Sequence, residues 1–248
     1  MRIQLQIGIR SFFFICCMIA HADHLIAQYT GLGSWHTLQL KAQLSKNWSV
    51  LGEAQLRSLH FYNQFHYYEY KAAAVYQLHP EIKLTLGAGS YQTYREGGNF
   101  ILPKNNNEVR IWPQLSLHHL VGKLNIEQRY RSESRFTTSG YRNRFRYRLG
   151  LSIPVTLSAT NPAKKVTLHL SNELFFTDRE PYFERNRIQL GIGFRVSKMA
   201  SVQVGYLHQF DYRINDETGR DFLQIGYYFE LNKLSSSLQK IDTNLRED

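Results

Sequence analysis

Residues 141–149 alternate strictly between charged and uncharged positions. The even positions are Arg142, Arg144, Arg146 and Arg148, and the odd positions are aromatic or aliphatic apart from one asparagine. Successive side chains of a β-strand point to opposite faces, so this strand has an apolar wall and a wall of guanidinium groups. Repetition of this pattern along the chain favours a closed barrel with apolar side chains outside and polar ones inside, as in outer-membrane barrels.

Eleven segments fit the alternation template, and turn residues separate them. The fifth and sixth surround Val121-Gly122-Lys123, a long loop is predicted over 96–107, and Pro113 predicts a bulge or a weakened strand because proline has no N–H to donate. The other nine predicted strands are 35–44, 48–59, 67–78, 82–94, 141–153, 165–176, 185–196, 200–212 and 220–231.

The fold class predicted is all-β, an antiparallel transmembrane β-barrel. Single-chain bacterial barrels of this type have an even number of strands with both ends on the periplasmic side. We therefore expect twelve strands, the missing one lying in or before 28–34, or ten strands if one segment is not a strand. Tight turns are expected at one end of the barrel and longer loops at the other.

The first 27 residues are typical of a secretory signal. Arg2 and Arg10 precede an apolar run over 12–20, too short for a transmembrane helix, and cleavage is predicted after Ala22 or Ala27. A retained membrane anchor is the alternative. The barrel domain is then 28–231, followed by a polar periplasmic tail over 232–248.

Both cysteines, Cys16 and Cys17, lie in the signal, so the mature chain is predicted to have no disulfide, thiolate metal site or cysteine nucleophile. No metal or cofactor site is predicted, and Asp211, Asp216, Glu217 and Asp221 are interpreted as solvated loop residues. The formal net charge of +10 suggests nucleic-acid binding as one class of function. We do not predict it, because the arginines alternate with lipid-facing residues inside strands. The expected partners are outer-membrane lipid and small anionic solutes.

A set of charged residues is predicted to point into the barrel interior, with arginine in excess. Either these side chains form Arg–Glu ion pairs that fill a narrow bore, or the surplus near the sixth, seventh and ninth strands forms a positive constriction that attracts anions. The predicted lumen-facing residues are Glu53, Arg57, Glu69, Lys71, Glu108, Arg110, Glu127, Arg129, Arg131, Arg142, Arg144, Arg146, Arg148, Glu173, Arg185 and Arg187.

Lipid-modifying enzymes also use barrels of this size, with serine and histidine near the membrane interface. The best candidate for a catalytic pair is Ser116 with His118, because both lie on the same face of one predicted strand. No local spacing assembles a nucleophile, base and orienting group, so we do not predict an enzyme. The other candidates are His119, His169, His208, Ser152 and Ser171.

Several motifs resemble the family catalogued as domain of unknown function 2490. The resemblance covers nearly all of the predicted mature chain and implies an outer-membrane barrel of a Gram-negative bacterium without an assigned activity. The residues that carry it are Trp35, Lys46-Asn47-Trp48, Glu108-Val109-Arg110, the 142–148 strand, the 171–176 segment and Arg185-Asn186-Arg187 with Gly191.

The function expected from these observations is a structural barrel or a narrow, anion-preferring channel with an arginine-rich lumen. One alternative is a lipase or acyltransferase of the outer membrane. Another is a soluble lipid-binding barrel, which would reverse the polarity of the two faces.

Overall fold

A computed structural model describes residues 28–157, 165–212 and 217–231, with backbone alone for 28–30 and 165. The predicted signal and tail lie outside these residues. The described residues form eleven strands: β1 (Gln28–Gln43), β2 (Trp48–His60), β3 (Asn63–His79), β4 (Ile82–Arg95), β5 (Ile101–Val121), β6 (Leu124–Thr137), β7 (Gly140–Thr156), β8 (Lys165–Thr177), β9 (Phe183–Arg195), β10 (Ala200–Asp211) and β11 (Thr218–Leu231).

The strands close into one barrel in sequence order, and β1 pairs with β11. Every sequential pair is antiparallel, whereas β1 and β11 are parallel, with Ser34 opposite Leu223 and Ala42 opposite Leu231. The expectation of twelve or ten strands is wrong for the described residues. Residues 28–34 extend β1 instead of forming a separate strand. Since eleven is odd, an alternating up-and-down order leaves the first and last strands pointing the same way.

The fifth strand differs most from its prediction. β5 begins at Ile101, so the expected loop over 96–107 shrinks to 96–100. On its β6 side, pairing stops after Ile111 opposite Ser134 and resumes at Gln114 opposite Arg131, with the register unchanged. Pro113 thus interrupts the ladder without adding a residue, which is a weakened strand and not a bulge.

The barrel has two ends, which we call the turn end and the loop end. Among the described residues, the turn end carries connections 44–47, 80–81, 122–123 and 196–199. The loop end carries 61–62, 96–100, 138–139 and 178–182. Two-residue connections occur at both ends, so the expected contrast in loop length is largely absent. Gly122 makes one of them possible, because its φ of +62° is a left-handed conformation that glycine adopts at low cost.

The two faces of the wall differ in polarity. Leu38, Leu86, Leu190 and Phe229 are exposed on the outside, and Leu86 keeps 61% of its surface accessible. The interior contains buried charged groups, among them Glu69, Glu108, Glu133 and Arg144. This is the reverse of a soluble barrel with an apolar interior. Among the described residues, no helix is long and apolar enough to cross a membrane.

Candidate functional site: the charged barrel interior

Two cavities lie inside the barrel along its axis. The loop-end chamber, about 350 Å³, includes Glu108, Arg144 and Arg185 in its lining. The turn-end chamber, about 340 Å³, includes Arg129, Arg148 and Glu173. Fourteen of the sixteen residues predicted to face the lumen line one or both chambers. Of the other two, Arg142 lines a third cavity at the loop end, and Glu127 lies opposite Gly150 in the β6–β7 pairing.

Glu133 on β6 is the centre of the densest ion-pair cluster. Its side chain is fully buried, and Arg144 and Arg146 contact its two carboxylate oxygens at 2.9 and 2.6 Å. Arg110 and Arg131 approach it at 3.6 and 3.7 Å. Four arginines from three adjacent strands, β5, β6 and β7, therefore converge on one carboxylate, which suits it to hold these strands together on their inner face.

Further carboxylates repeat this arrangement toward the loop end. Arg110 donates two hydrogen bonds to Glu108, of 2.7 and 3.0 Å, and Arg135 also pairs with Glu108. Arg144 bridges to Glu184 at 2.9 Å, and Arg185 pairs with Asp211. On the opposite wall Arg57 and Lys71 share Glu69, at 3.3 and 2.6 Å. Each of these cations has a carboxylate partner.

Stacked cations and aromatic rings separate the two chambers. Two guanidinium groups contact the ring of Trp35, with Arg57 3.4 Å and Arg187 4.9 Å from its centroid. Arg187 and Arg146 also stand 4.7 and 4.6 Å from the ring of Phe175. Cation–π contacts of this kind stabilise desolvated cations without a carboxylate. We call these five residues the partition; Trp35, Arg146 and Arg187 line both chambers.

A row of five inward-facing residues runs across β6 to β10 on the turn side of Phe175. Register places Arg129 opposite Arg148, Arg148 opposite Glu173, Glu173 opposite Arg187 and Arg187 opposite Gln209. We call this set the arginine row. Its one carboxylate, Glu173, is bonded to Arg129 at 2.7 Å and to Arg146 at 2.8 Å. Arg187 instead donates to the Gln209 side-chain oxygen at 2.9 Å.

Small residues create the space beside the arginine row. The next positions toward the turn end include Gly150 opposite Ser171, and Ser171 is opposite Gln189. A Cβ on Gly150 would lie 3.7 Å from the nearest heavy atom, an ordinary packing distance, and Ser171 lines the turn-end chamber. Short side chains at these two positions leave part of the bore beside the arginine row open.

Several interior residues were not on the predicted list. Glu133 and Arg135 continue the inward parity of Arg129 and Arg131, so the alternation already contained the signal for them. Glu184 precedes Arg185 and has the opposite parity, and it reaches the interior only at the loop-end start of β9. The interpretation of Asp211 as solvated is wrong, because it is buried against Arg185. Asp221 accepts hydrogen bonds from Tyr206 and His208, and Asp216 lies outside the described residues.

The serine and histidine candidates do not converge. Ser116 accepts a hydrogen bond from Gln114 at 3.2 Å, while the buried Nε2 of His118 has no partner among the described residues. His169 lies beside Gly193 on the neighbouring strand. His208 faces Asp221, its Nδ1 2.7 Å from a carboxylate oxygen. Within residues 28–157, 165–212 and 217–231, no group of three or more histidine, cysteine or acidic residues could hold a metal ion.

These features define a class: a closed, all-β barrel of eleven strands with an apolar exterior and an ion-paired, arginine-rich interior. A family profile described as "Protein of unknown function (DUF2490)" matches residues 32–220. The chain belongs to this family, as the sequence motifs predicted. No curated protein matches the chain, and no solved structure matches it.

Proposed function

We propose that this protein is an outer-membrane barrel whose interior forms a narrow, anion-preferring path, closed at rest by the partition. A membrane location is supported by the exposed apolar side chains that cover the outer wall, such as Tyr70, Leu86 and Leu190. Exposed apolar surface that extends this far round a soluble monomer would cause aggregation. The predicted signal sequence supports the same location.

Strand number is the feature that fits this proposal least well. Bacterial single-chain barrels have even numbers of strands, but a mitochondrial barrel of nineteen shows that an odd number can close within a membrane. The location is tested by separating inner and outer membranes and by comparing heated with unheated protein in gel electrophoresis. Recovery in the soluble fraction would contradict it.

The balance of charge around the turn-end chamber carries the proposal of anion preference. Six cationic side chains line this chamber, whereas only two carboxylates, those of Glu53 and Glu173, do so. Rings of basic side chains select anions in membrane pores. The cations are Lys71, Arg129, Arg131, Arg146, Arg148 and Arg187.

Conductance in planar bilayers tests the path, with reversal potentials measured in a salt gradient. We expect small anion-selective steps from the natural protein. Arg57→Ala should enlarge them by removing one layer of the partition, while Lys71 remains as the partner of Glu69 at 2.6 Å. Selectivity should persist, because Arg57 does not line the turn-end chamber.

Arg220→Gln is the matched control. It removes one positive charge from the loop-end chamber, where Arg220 bonds to Glu96 at 2.7 Å, and because the partition stays intact it should change the step size much less than Arg57→Ala does. If both the natural protein and Arg57→Ala insert as heat-modifiable barrels and never conduct, the channel function is excluded.

A further inference from the structure

Two arginines of the turn-end chamber lack a carboxylate partner. Within the part of the chain that the structure describes, neither Arg148 nor Arg187 forms an ion pair with Asp or Glu. The buried Nε of Arg148 has no hydrogen-bond partner at all there. Thr37, only 5% exposed, lines the same chamber and has an unpartnered hydroxyl. The wall of the chamber therefore contains unpartnered polar groups as well as excess positive charge.

Among the described residues no carboxylate lies within ion-pair distance of either arginine, and Glu127 and Glu173 act on Arg148 only at longer range. Glu173, their neighbour on both sides in the arginine row, already binds Arg129 and Arg146. A guanidinium without an ion-pair partner costs folding free energy when it is buried away from water. This cost falls when an anion enters the chamber.

We propose that the turn-end chamber binds one small oxyanion of the phosphate or sulfate class, held by Arg148 and Arg187 with the Thr37 hydroxyl as a further donor. This proposal rests on the anion preference proposed above, and it specifies the chemical class of the ligand. Guanidinium groups favour such ions because their planar set of N–H donors matches pairs of oxygen atoms.

Size and surroundings restrict the ligand. The chamber's volume of about 340 Å³ is near the lower limit of ligand pockets. The partition closes its loop-end side, and amide side chains of Gln189, Gln203 and Gln224 line it elsewhere. Gln189 donates to Gln224, so these two amides are already ordered. A compact inorganic oxyanion fits this space, whereas a nucleotide or an acyl chain does not.

Isothermal titration of the refolded barrel tests the site, in a zwitterionic detergent and phosphate-free buffer, with inorganic phosphate, sulfate and chloride as probes. We expect one phosphate or sulfate per barrel, bound at least tenfold more tightly than chloride. Arg148→Gln should weaken oxyanion binding at least tenfold, and Arg148→Lys should recover part of the loss. Arg220→Gln, which removes an equal charge at the loop end, should bind within twofold of the natural protein.

A second variant tests whether binding depends on the free volume of the chamber as well as on its positive charge. Ser171→Leu keeps all six cations and fills the floor of the chamber, so it should also lose binding, with heat-modifiable migration as the check that it folds. Absence of binding in the natural protein, or equal binding by folded Arg148→Gln, would overturn the site. Binding without conductance would support the oxyanion site and contradict the channel function. Conductance without binding would support the channel function and contradict the oxyanion site.

Discussion

The loop-end and turn-end halves of the interior use the same residue types in different proportions, with nine cations to five carboxylates around the first chamber and six to two around the second. Around Glu133 and Glu108, buried arginines meet carboxylates on the same strand or on a neighbouring strand. The arginine row has three arginines and a single carboxylate, Glu173, which pairs with Arg129 and with Arg146 outside the row. The first arrangement is complete without a ligand, and the second is not. Paired charges thus stabilise the barrel, whereas a surplus of positive charge in a cavity creates a candidate binding site for anions.

The largest expected effect comes from neutralising the centre of the paired half. Glu133→Gln leaves Arg144 and Arg146 without their shared buried carboxylate, and breaking a buried pair of this kind costs about 3–5 kcal/mol of unfolding free energy. Urea unfolding in lipid vesicles measures it. Glu96→Gln removes a carboxylate from a more exposed pair and should cost about 0–1 kcal/mol. Equal losses in the two variants would contradict the bracing role of Glu133.

A packing change at the junction of the two halves should have an intermediate effect. Trp112 folds over Gly87, where an added Cβ would lie 2.5 Å from the indole, and Arg131 stands 5.1 Å from the same ring. Gly87→Ala should therefore cost about 1–3 kcal/mol through overpacking. Gly52→Ala is the control, because nothing lies within 4 Å of its added Cβ. A similar unfolding midpoint for both variants would show that Trp112 is loosely held.

Removing a charge from the surplus half should change stability in the opposite direction. Arg148 lies directly opposite Arg129, and like charges opposite each other in a sheet are unfavourable by roughly 0.2–1 kcal/mol. Arg148→Gln should therefore raise the unfolding free energy by about that amount in phosphate-free buffer, and added phosphate should reverse the order of the two proteins. If Arg148→Gln instead lowers the unfolding free energy as much as Glu133→Gln does, Arg148 has a partner equivalent to a carboxylate.

The smallest effect is expected outside both halves, in the 178–182 connection. The backbone N–H of Asn143 donates to the Asp178 carboxylate at 3.1 Å, and this bond lowers the pKa of Asp178. The contact is therefore fully present above the ordinary pKa of an aspartate and is lost as pH falls through the lowered value. Hydrogen-exchange protection of the Asn143 amide should fall in that acidic range. In Asp178→Ala it should be low throughout, and pH-independent protection in the natural protein would exclude the contact.

The alternation of side chains predicted much of the architecture, because each strand carries its own inside and outside. Arg144 and Phe145 are assigned to opposite faces by parity alone, and the structure has the first buried and the second exposed. Ion-pair partners could not be predicted in this way. Arg129 meets Glu173 and Arg135 meets Glu184 only through the register of strands far apart in sequence. The partition was missed for the same reason, since Trp35, Arg57 and Phe175 belong to three separate strands.

The parallel pairing of β1 with β11 has a consequence for the topology of the whole chain. β1 starts at the loop end with Gln28, and β11 finishes at the turn end with Leu231. In a barrel that crosses a membrane, eleven crossings deliver these two points to different compartments. A protease confined to one compartment would therefore reach the backbone next to only one of them, and a reporter fused after Leu231 would face away from the side on which β1 begins.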